Sequence, residues 1–105
     1  MRTLIFVLTL LAGPALAAES DYVLTIKDHK FSPAELRVPA GKKIKLIIEN
    51  QDATPEEFES HPLRREKVIP GKSKSSIFIG PLKAGRYPYV GEFNQKTANG
   101  VIIAE

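Results

Sequence analysis

Short segments in which apolar and polar residues alternate, each closed by a proline or glycine turn, most constrain the fold of this chain. Tyr22, Leu24 and Ile26 alternate with more polar neighbours, and Ile44, Leu46 and Ile48 do the same. Turn residues follow such segments, as at Pro39-Ala40-Gly41, Pro70-Gly71 and Gly80-Pro81. This period of two is typical of half-buried strands. Apart from a possible single helical turn at Pro62–Glu66, the pattern predicts an all-β sandwich of about seven to eight strands.

The first residues resemble a secretory signal. Arg2 provides a positive start, Leu4–Leu11 an apolar stretch and Ala15-Leu16-Ala17 a small-residue cleavage motif. The apolar stretch is shorter than the ~20 residues that a membrane-spanning helix needs. The sequence therefore predicts a signal peptide at residues 1–17, a single domain at residues 18–105 and a periplasmic location, with no membrane span after cleavage.

Charge and motif content exclude several classes of function. The 15 Lys and Arg residues nearly balance the 12 Asp and Glu residues, whereas nucleic-acid-binding domains usually carry a strong basic surplus. No phosphate-binding glycine loop, nucleophile elbow or H-E-x-x-H motif occurs. The sequence thus carries no enzyme signature, and a ferroxidase-type step is the least favoured hypothesis.

Three groups of residues recur along the chain in a characteristic order and spacing. They are Phe31, Pro33, Val38 and Gly41, then Val68-Ile69-Pro70-Gly71, and finally Gly85, Tyr87, Tyr89, Gly100 and Ile102. Together they resemble the cupredoxin-like domain family, in particular its EfeO-type members associated with periplasmic iron uptake. The resemblance implies a Greek-key β-sandwich. It also implies an accessory protein that binds iron or copper before transport, with a permease or other iron-uptake components of the periplasm and inner membrane as partners.

The residues that bind type 1 copper in this family are replaced here. Gly91 stands where the resemblance places the cysteine, and no His or Met occurs between Glu92 and Gly100. The first histidine position, after Pro55, is occupied by Glu56. Blue copper requires a thiolate ligand, and the chain contains no cysteine, so a type 1 centre is excluded.

Carboxylates instead surround the position of the first histidine, and they predict a different metal site. Carboxylate oxygens suit hard ions such as Fe(III), and a neighbouring imidazole extends the range to Fe(II) and Cu(II). If this segment is a strand, Glu57, Glu59 and His61 share one face; if it is a loop, Glu56 joins them. Glu92, on the loop of the missing cysteine, is a further candidate, as is Glu66. The predicted metal ligands are Glu56, Glu57, Glu59, His61 and Glu92.

Two alternatives remain open at this level. The acidic run could be a solvated surface paired with the basic residues Arg64, Arg65 and Lys67. The domain could also be a metal-free interaction module that docks on a permease or another periplasmic partner. Its loop end and the lysines 42, 43, 45, 72 and 74 would then form the docking surface.

Overall fold

The computed structural model describes residues 20–105, which form nine β-strands and one short 3₁₀ helix. The predicted signal peptide, residues 1–17, lies outside the described residues. The strands are β1 (Ser20–Lys27), β2 (Lys30–Ser32), β3 (Glu35–Val38), β4 (Ile44–Asn50), β5 (Glu56–Ser60), β6 (Arg65–Ile69), β7 (Ser73–Ile79), β8 (Gly85–Gly91) and β9 (Asn99–Ala104). Within residues 20–105 the helical element is the 3₁₀ helix Glu92–Asn94. The helical turn predicted at Pro62–Glu66 is not formed.

The strands form two sheets that pack face to face. The four-stranded sheet has the order β2-β1-β4-β7, and the five-stranded sheet has the order β3-β9-β8-β5-β6. Most neighbours are antiparallel, but β1 runs parallel to β4 and β3 runs parallel to β9. The predicted fold class is confirmed. The strand beyond the predicted seven to eight is β2, which has only three residues and therefore shows no alternating pattern of its own.

The core lies between the sheets and is built by the inward positions of the alternating segments. In β4 every second residue, from Ile44 to Asn50, is buried, as the sequence pattern predicts. Three aromatic rings fill the centre: Tyr89 lies 4.9 Å from Phe31 and 5.0 Å from Phe58, measured between ring centroids. Such edge and tilted contacts add to the hydrophobic stabilisation that burial of each ring provides.

One polar group in this core has no hydrogen-bond partner among the described residues, the hydroxyl of Tyr89. Burial raises the pKa of this phenol, because the phenolate would lose its hydration. A side chain at Gly100 would place its Cβ 2.4 Å from the Tyr89 oxygen, so glycine is required there to make room for the ring.

The loop that leads into β5 is fixed by Asn50, the last residue of β4. Its buried amide donates hydrogen bonds to the carbonyls of Thr54 (2.9 Å) and Ile69 (3.1 Å), and its Oδ1 accepts one from the Asp52 N–H (3.0 Å). Gly71 packs directly against this loop, where a Cβ would meet the Ala53 carbonyl. These contacts determine where Glu56 enters the sandwich. Among residues 20–105 no helix has the length and apolar character needed to cross a membrane.

Candidate metal site

Glu56, the first residue of β5, points into the sandwich rather than toward solvent. It is only 2% exposed. Its Oε1 accepts hydrogen bonds from the Phe93 N–H and the Glu57 N–H, both at 2.9 Å, and its Oε2 accepts one from the Asn94 side-chain amide at 2.8 Å. These donors compensate the loss of hydration that burial of a carboxylate entails.

The space around this carboxylate is already full. A Cβ built on Gly91 would lie 2.6 Å from the Glu56 carboxyl carbon and 2.7 Å from the Cβ of Ala98, closer than real Cβ contacts. The positions that the resemblance assigns to the first histidine and the cysteine are therefore in contact. A type 1 copper ion does not fit here, because no thiolate is present and the carboxylate fills the space between the two positions.

The remaining residues of the acidic run follow strand alternation. Glu57 and Glu59 lie on the outer face of the five-stranded sheet, while Phe58 and Ser60 are buried beneath them. Glu59 lies opposite Glu66 of β6 and opposite Val90 of β8. The strand alternative is therefore the correct one for residues 56–60, and Glu56 does not share a face with Glu57 and Glu59. His61 follows directly after β5, in an exposed turn where its carbonyl accepts the Arg64 N–H.

Glu59 and Glu92 bring two carboxyl groups together on the outer surface. The pKa of Glu59 is raised, foremost because its carboxyl hydrogen-bonds with that of Glu92. The loss of hydration and the negative charges of Glu92 and Glu66 act in the same direction, and His61 opposes them. A shared proton between two carboxyls is the usual response to such repulsion.

A hollow of about 600 Å³ contains this pair. Of the five predicted ligands it brings together Glu59, His61 and Glu92, beside Pro88 and Val90. A neighbouring hollow of about 530 Å³ is lined by Glu59, His61 and Glu66 together with Arg64 and Arg65. Within residues 20–105 no three His, Asp or Glu side chains stand ready as a metal-binding group. The predicted set of five ligands thus stays a prediction, and the structure assembles part of it.

Arg65, one of the residues that could neutralise the acidic run, makes other contacts. Arg65 donates its Nε–H to the Phe78 carbonyl on β7 (3.0 Å) and an NH1 hydrogen to the Arg64 carbonyl (3.0 Å). The ion pairs found in the described part of the chain involve Asp52, Glu35 and Glu105 rather than the glutamates of β5.

Another hollow, of about 740 Å³, lies elsewhere, at the end of the four-stranded sheet. Its lining mixes Lys27, Lys72 and Lys74 with Glu49 and Asp52. Asp52 already accepts the N–H groups of Asp28 and His29, so this hollow is a polar junction between turns rather than a gathering of free ligands. The chemistry that the sequence predicts lies in the smaller hollow around Glu59.

Two partners of Glu56 escape sequence analysis, the Phe93 backbone N–H and the Asn94 amide. They lie 37 and 38 residues from Glu56 along the chain. No motif marks either residue, because a backbone donor has no sequence signature and a single asparagine in a loop is common. The sequence gives one indication of this site, the glycine at position 91. The resemblance assigns positions 91 and 56 to the ligands of one metal ion and so implies that they lie close together.

The chain is similar to several known proteins. The sequence model of the family described as "Cupredoxin-like domain" matches residues 1–104. An uncharacterized protein of Rickettsia prowazekii (strain Madrid E), RP394, is 52% identical over 80 residues, which cover 76% of this chain and 64% of that protein. The chain therefore matches slightly less than two thirds of that relative's length.

Solved structures with low sequence identity share the fold. Auracyanin A, a "blue" copper protein from Chloroflexus aurantiacus, superposes with a TM-score of 0.70 at 12% identity, covering 84% of this chain and all of that chain. Amicyanin from Paracoccus versutus gives a TM-score of 0.62 at 17% identity, covering 87% of each chain. At these identities the likeness concerns architecture and leaves the metal site to be judged from the residues themselves.

Proposed function

The chain belongs to the cupredoxin-like domain family, and on this premise we propose that it is a periplasmic accessory protein of metal uptake that binds iron, or copper, at a carboxylate site. The proposed site comprises Glu59 and Glu92, with His61 as a third ligand on the same hollow. It is distinct from the position of a type 1 copper centre. The family supports a metal-related role at the coarse level; iron, the periplasm and a permease partner are parts of the proposal.

The observation that carries the proposal is the carboxyl pair of Glu59 and Glu92. Like charges held close together are unfavourable unless a proton or a cation lies between them. A cation bound by both carboxylates would remove the repulsion. Oxygen donors favour hard ions, and the imidazole of His61 would widen the choice to Fe(II) and Cu(II).

The exposure of this site is better suited to transfer of a metal ion than to its storage. Glu92 and His61 are exposed, and Glu59 is only partly covered. Water would complete the coordination of an ion held by two or three protein groups at such a surface. Binding should therefore be weak and exchange fast, as transfer to a membrane permease requires.

Calorimetric titration of the mature domain tests this function directly. The titrants are Fe(II) under anaerobic conditions, Fe(III) supplied as a weak chelate, Cu(II) and Mn(II). We expect iron or copper to bind with a Kd well below millimolar. The double variant Glu59→Gln/Glu92→Gln should weaken that binding by about tenfold or more, which corresponds to about 1.4 kcal/mol. Glu49→Gln/Glu35→Gln, which removes two charges outside the hollow, should leave it unchanged.

The titration also defines failure. Affinity no tighter than millimolar for all four ions, or equal weakening by the two double variants, would reject the site. His61→Ala separates the metals: it should reduce Cu(II) affinity more than Fe(III) affinity, since imidazole is the softer ligand.

A metal-free interaction module remains the second candidate, and the outer face of the four-stranded sheet favours it. Of the lysines predicted for docking, 43, 45 and 74 lie on this lysine face together with lysines 27 and 30, whereas 42 and 72 lie in the turns before β4 and β7. The exposed apolar residues Val23 (46% exposed) and Phe78 (42%) lie among them. Lys43 places its Nζ 4.4 Å above the Phe78 ring. The occupant proposed for the lysine face is an acidic protein surface, and its binding should survive a chelator and weaken with added salt.

A further inference from the structure

We propose that the carboxylate of Glu56 takes over the structural role of a metal in this chain. It holds the start of β5 against the loop that follows β8. It does so in the space between positions 56 and 91, which the resemblance assigns to two copper ligands. The inference is independent of the proposed function, because Glu56 faces the interior whereas Glu59 and Glu92 face the outer hollow. We call Glu56, Gly91, Phe93, Asn94 and Ala98 the Glu56 cluster.

The contacts of the Glu56 cluster connect two segments that are distant in sequence. Both carboxylate oxygens accept hydrogen bonds, Oε1 from the Phe93 N–H and Oε2 from the Asn94 amide. The 3₁₀ helix Glu92–Asn94 is thereby fixed to the first residue of β5. A bound metal ion stabilises a fold in the same manner, by joining ligands from separate segments that the unfolded chain does not hold together.

Gly91 is explained by the side chains packed against it, foremost this carboxylate, and by nothing in its own backbone. Its φ and ψ are −92° and 108°, an extended conformation that any residue adopts. Only space excludes a side chain, because a Cβ would lie 2.6 Å from the Glu56 carboxyl carbon, 2.7 Å from its Oε2 and 2.7 Å from the Ala98 Cβ. Glutamate at position 56 and glycine at position 91 therefore depend on each other.

The same geometry implies that the Glu56 carboxylate and a copper ion would occupy the same space and therefore exclude each other. Position 91 faces the carboxylate directly, and the Asn94 amide nitrogen lies 2.8 Å from Oε2. Positions 91 and 94 thus both lie next to the Glu56 carboxylate, and a thiolate at position 91 with imidazoles at positions 56 and 94 would supply two nitrogens and one sulfur there. That set is the trigonal His₂Cys arrangement that blue copper uses.

Thermal unfolding of a double-mutant cycle tests the mutual dependence. We expect Glu56→Ala and Gly91→Ala each to lower Tm by about 5–15 °C, the former through lost hydrogen bonds and the latter through the clash. The double variant should lose less than the sum of the two, because removal of the carboxylate relieves its share of the clash, while the 2.7 Å contact with the Ala98 Cβ remains. Gly85→Ala on the same strand is the matched control: its nearest contact would be 3.8 Å, so Tm should hardly change.

Copper addition tests the shared place. We expect Glu56→His/Gly91→Cys/Asn94→His to develop the intense visible absorption of a copper–thiolate bond with Cu(II), and Gly91→Cys/Asn94→His, which keeps the glutamate, to develop none. Absorption in both proteins or in neither would overturn the inference, as would strictly additive Tm losses or an unchanged Tm in Glu56→Ala. Should the triple variant fail to fold, the double-mutant cycle decides alone.

Discussion

At the residue scale, the Glu59 carboxyl links the proposed site to the stability of the protein. Its pKa is raised above the ordinary value of 4.5, foremost by the hydrogen bond with Glu92. A carboxyl whose folded pKa is raised favours the folded state while it is protonated, and this contribution is lost as the pH rises through the folded pKa. At neutral pH the ionised pair therefore opposes folding.

Replacement of Glu59 by glutamine should remove this repulsion. We expect the metal-free Glu59→Gln protein to unfold at a slightly higher temperature than the parent at pH 7, and the difference to vanish below pH 4. Calorimetric scans at low salt across this range measure it, and the gain should shrink at high salt, where exposed charges are screened. Glu57→Gln, on the same face but outside the hollow, serves as the control; an equal gain there would mean that net charge alone is responsible.

At the element scale, the β1–β2 hairpin depends on a residue from a different loop. Its two turn residues, Asp28 and His29, have φ values of 55° and 60°, which a tight two-residue turn requires but which neither residue prefers. Asp52 compensates by accepting both of their N–H groups, at 2.8 and 3.0 Å. The His29 N–H, foremost, lowers the pKa of the Asp52 carboxyl, with further help from the Asp28 N–H.

The variant Asp52→Ala should destabilise the domain by about 2 kcal/mol at pH 7, the contribution expected of hydrogen bonds to a charged acceptor. Because the folded pKa of Asp52 is depressed, the parent has this stabilisation above the ordinary value of 3.8 and loses it as the pH falls through the folded pKa. Urea unfolding at pH 7 and at pH 2.5 should show a large difference between variant and parent at the first and a small one at the second. The exposed Asp21→Ala is the control, and a loss that is equal at both pH values would contradict the role given to the carboxylate.

Part of the fold and of the candidate site can be predicted from the sequence. Alternation predicts β1 and β4, and it places Glu57 and Glu59 on one face, because burial of every second side chain leaves a pattern that a single segment carries. The inward position of Glu56 could not be predicted that way, since an isolated buried carboxylate is unfavourable. Its hydrogen-bond donors come from the loop after β8, and the proximity of Glu92 to Glu59 likewise arises only when β5 pairs with β8.

At the scale of the whole molecule, charge is divided between the two outer faces. The lysine face of the four-stranded sheet also carries Asp21 and Glu49 but is basic on balance, whereas the outer face of β5 and β6 carries Glu57, Glu59 and Glu66, with Glu92 beside them. Opposite potentials on two sides of a small domain orient it as it approaches a charged partner. A metal site on the acidic side and a docking surface on the basic side would then be compatible in one protein.

The binding of acidic polypeptides should depend on the lysines of the lysine face and not merely on the net charge of the domain. We expect the domain to bind polyglutamate at low salt, and Lys45→Glu/Lys74→Glu to weaken binding much more than Lys83→Glu/Lys96→Glu, which makes the same charge change off the face. Titration followed by fluorescence anisotropy of labelled polyglutamate measures this, with and without a chelator. Binding should fade as salt approaches about 0.15 M, where the screening length falls to about 8 Å. Equal loss in the two double variants would show that only overall charge matters, and binding that disappears with the chelator would assign the contact to a metal instead of the lysines.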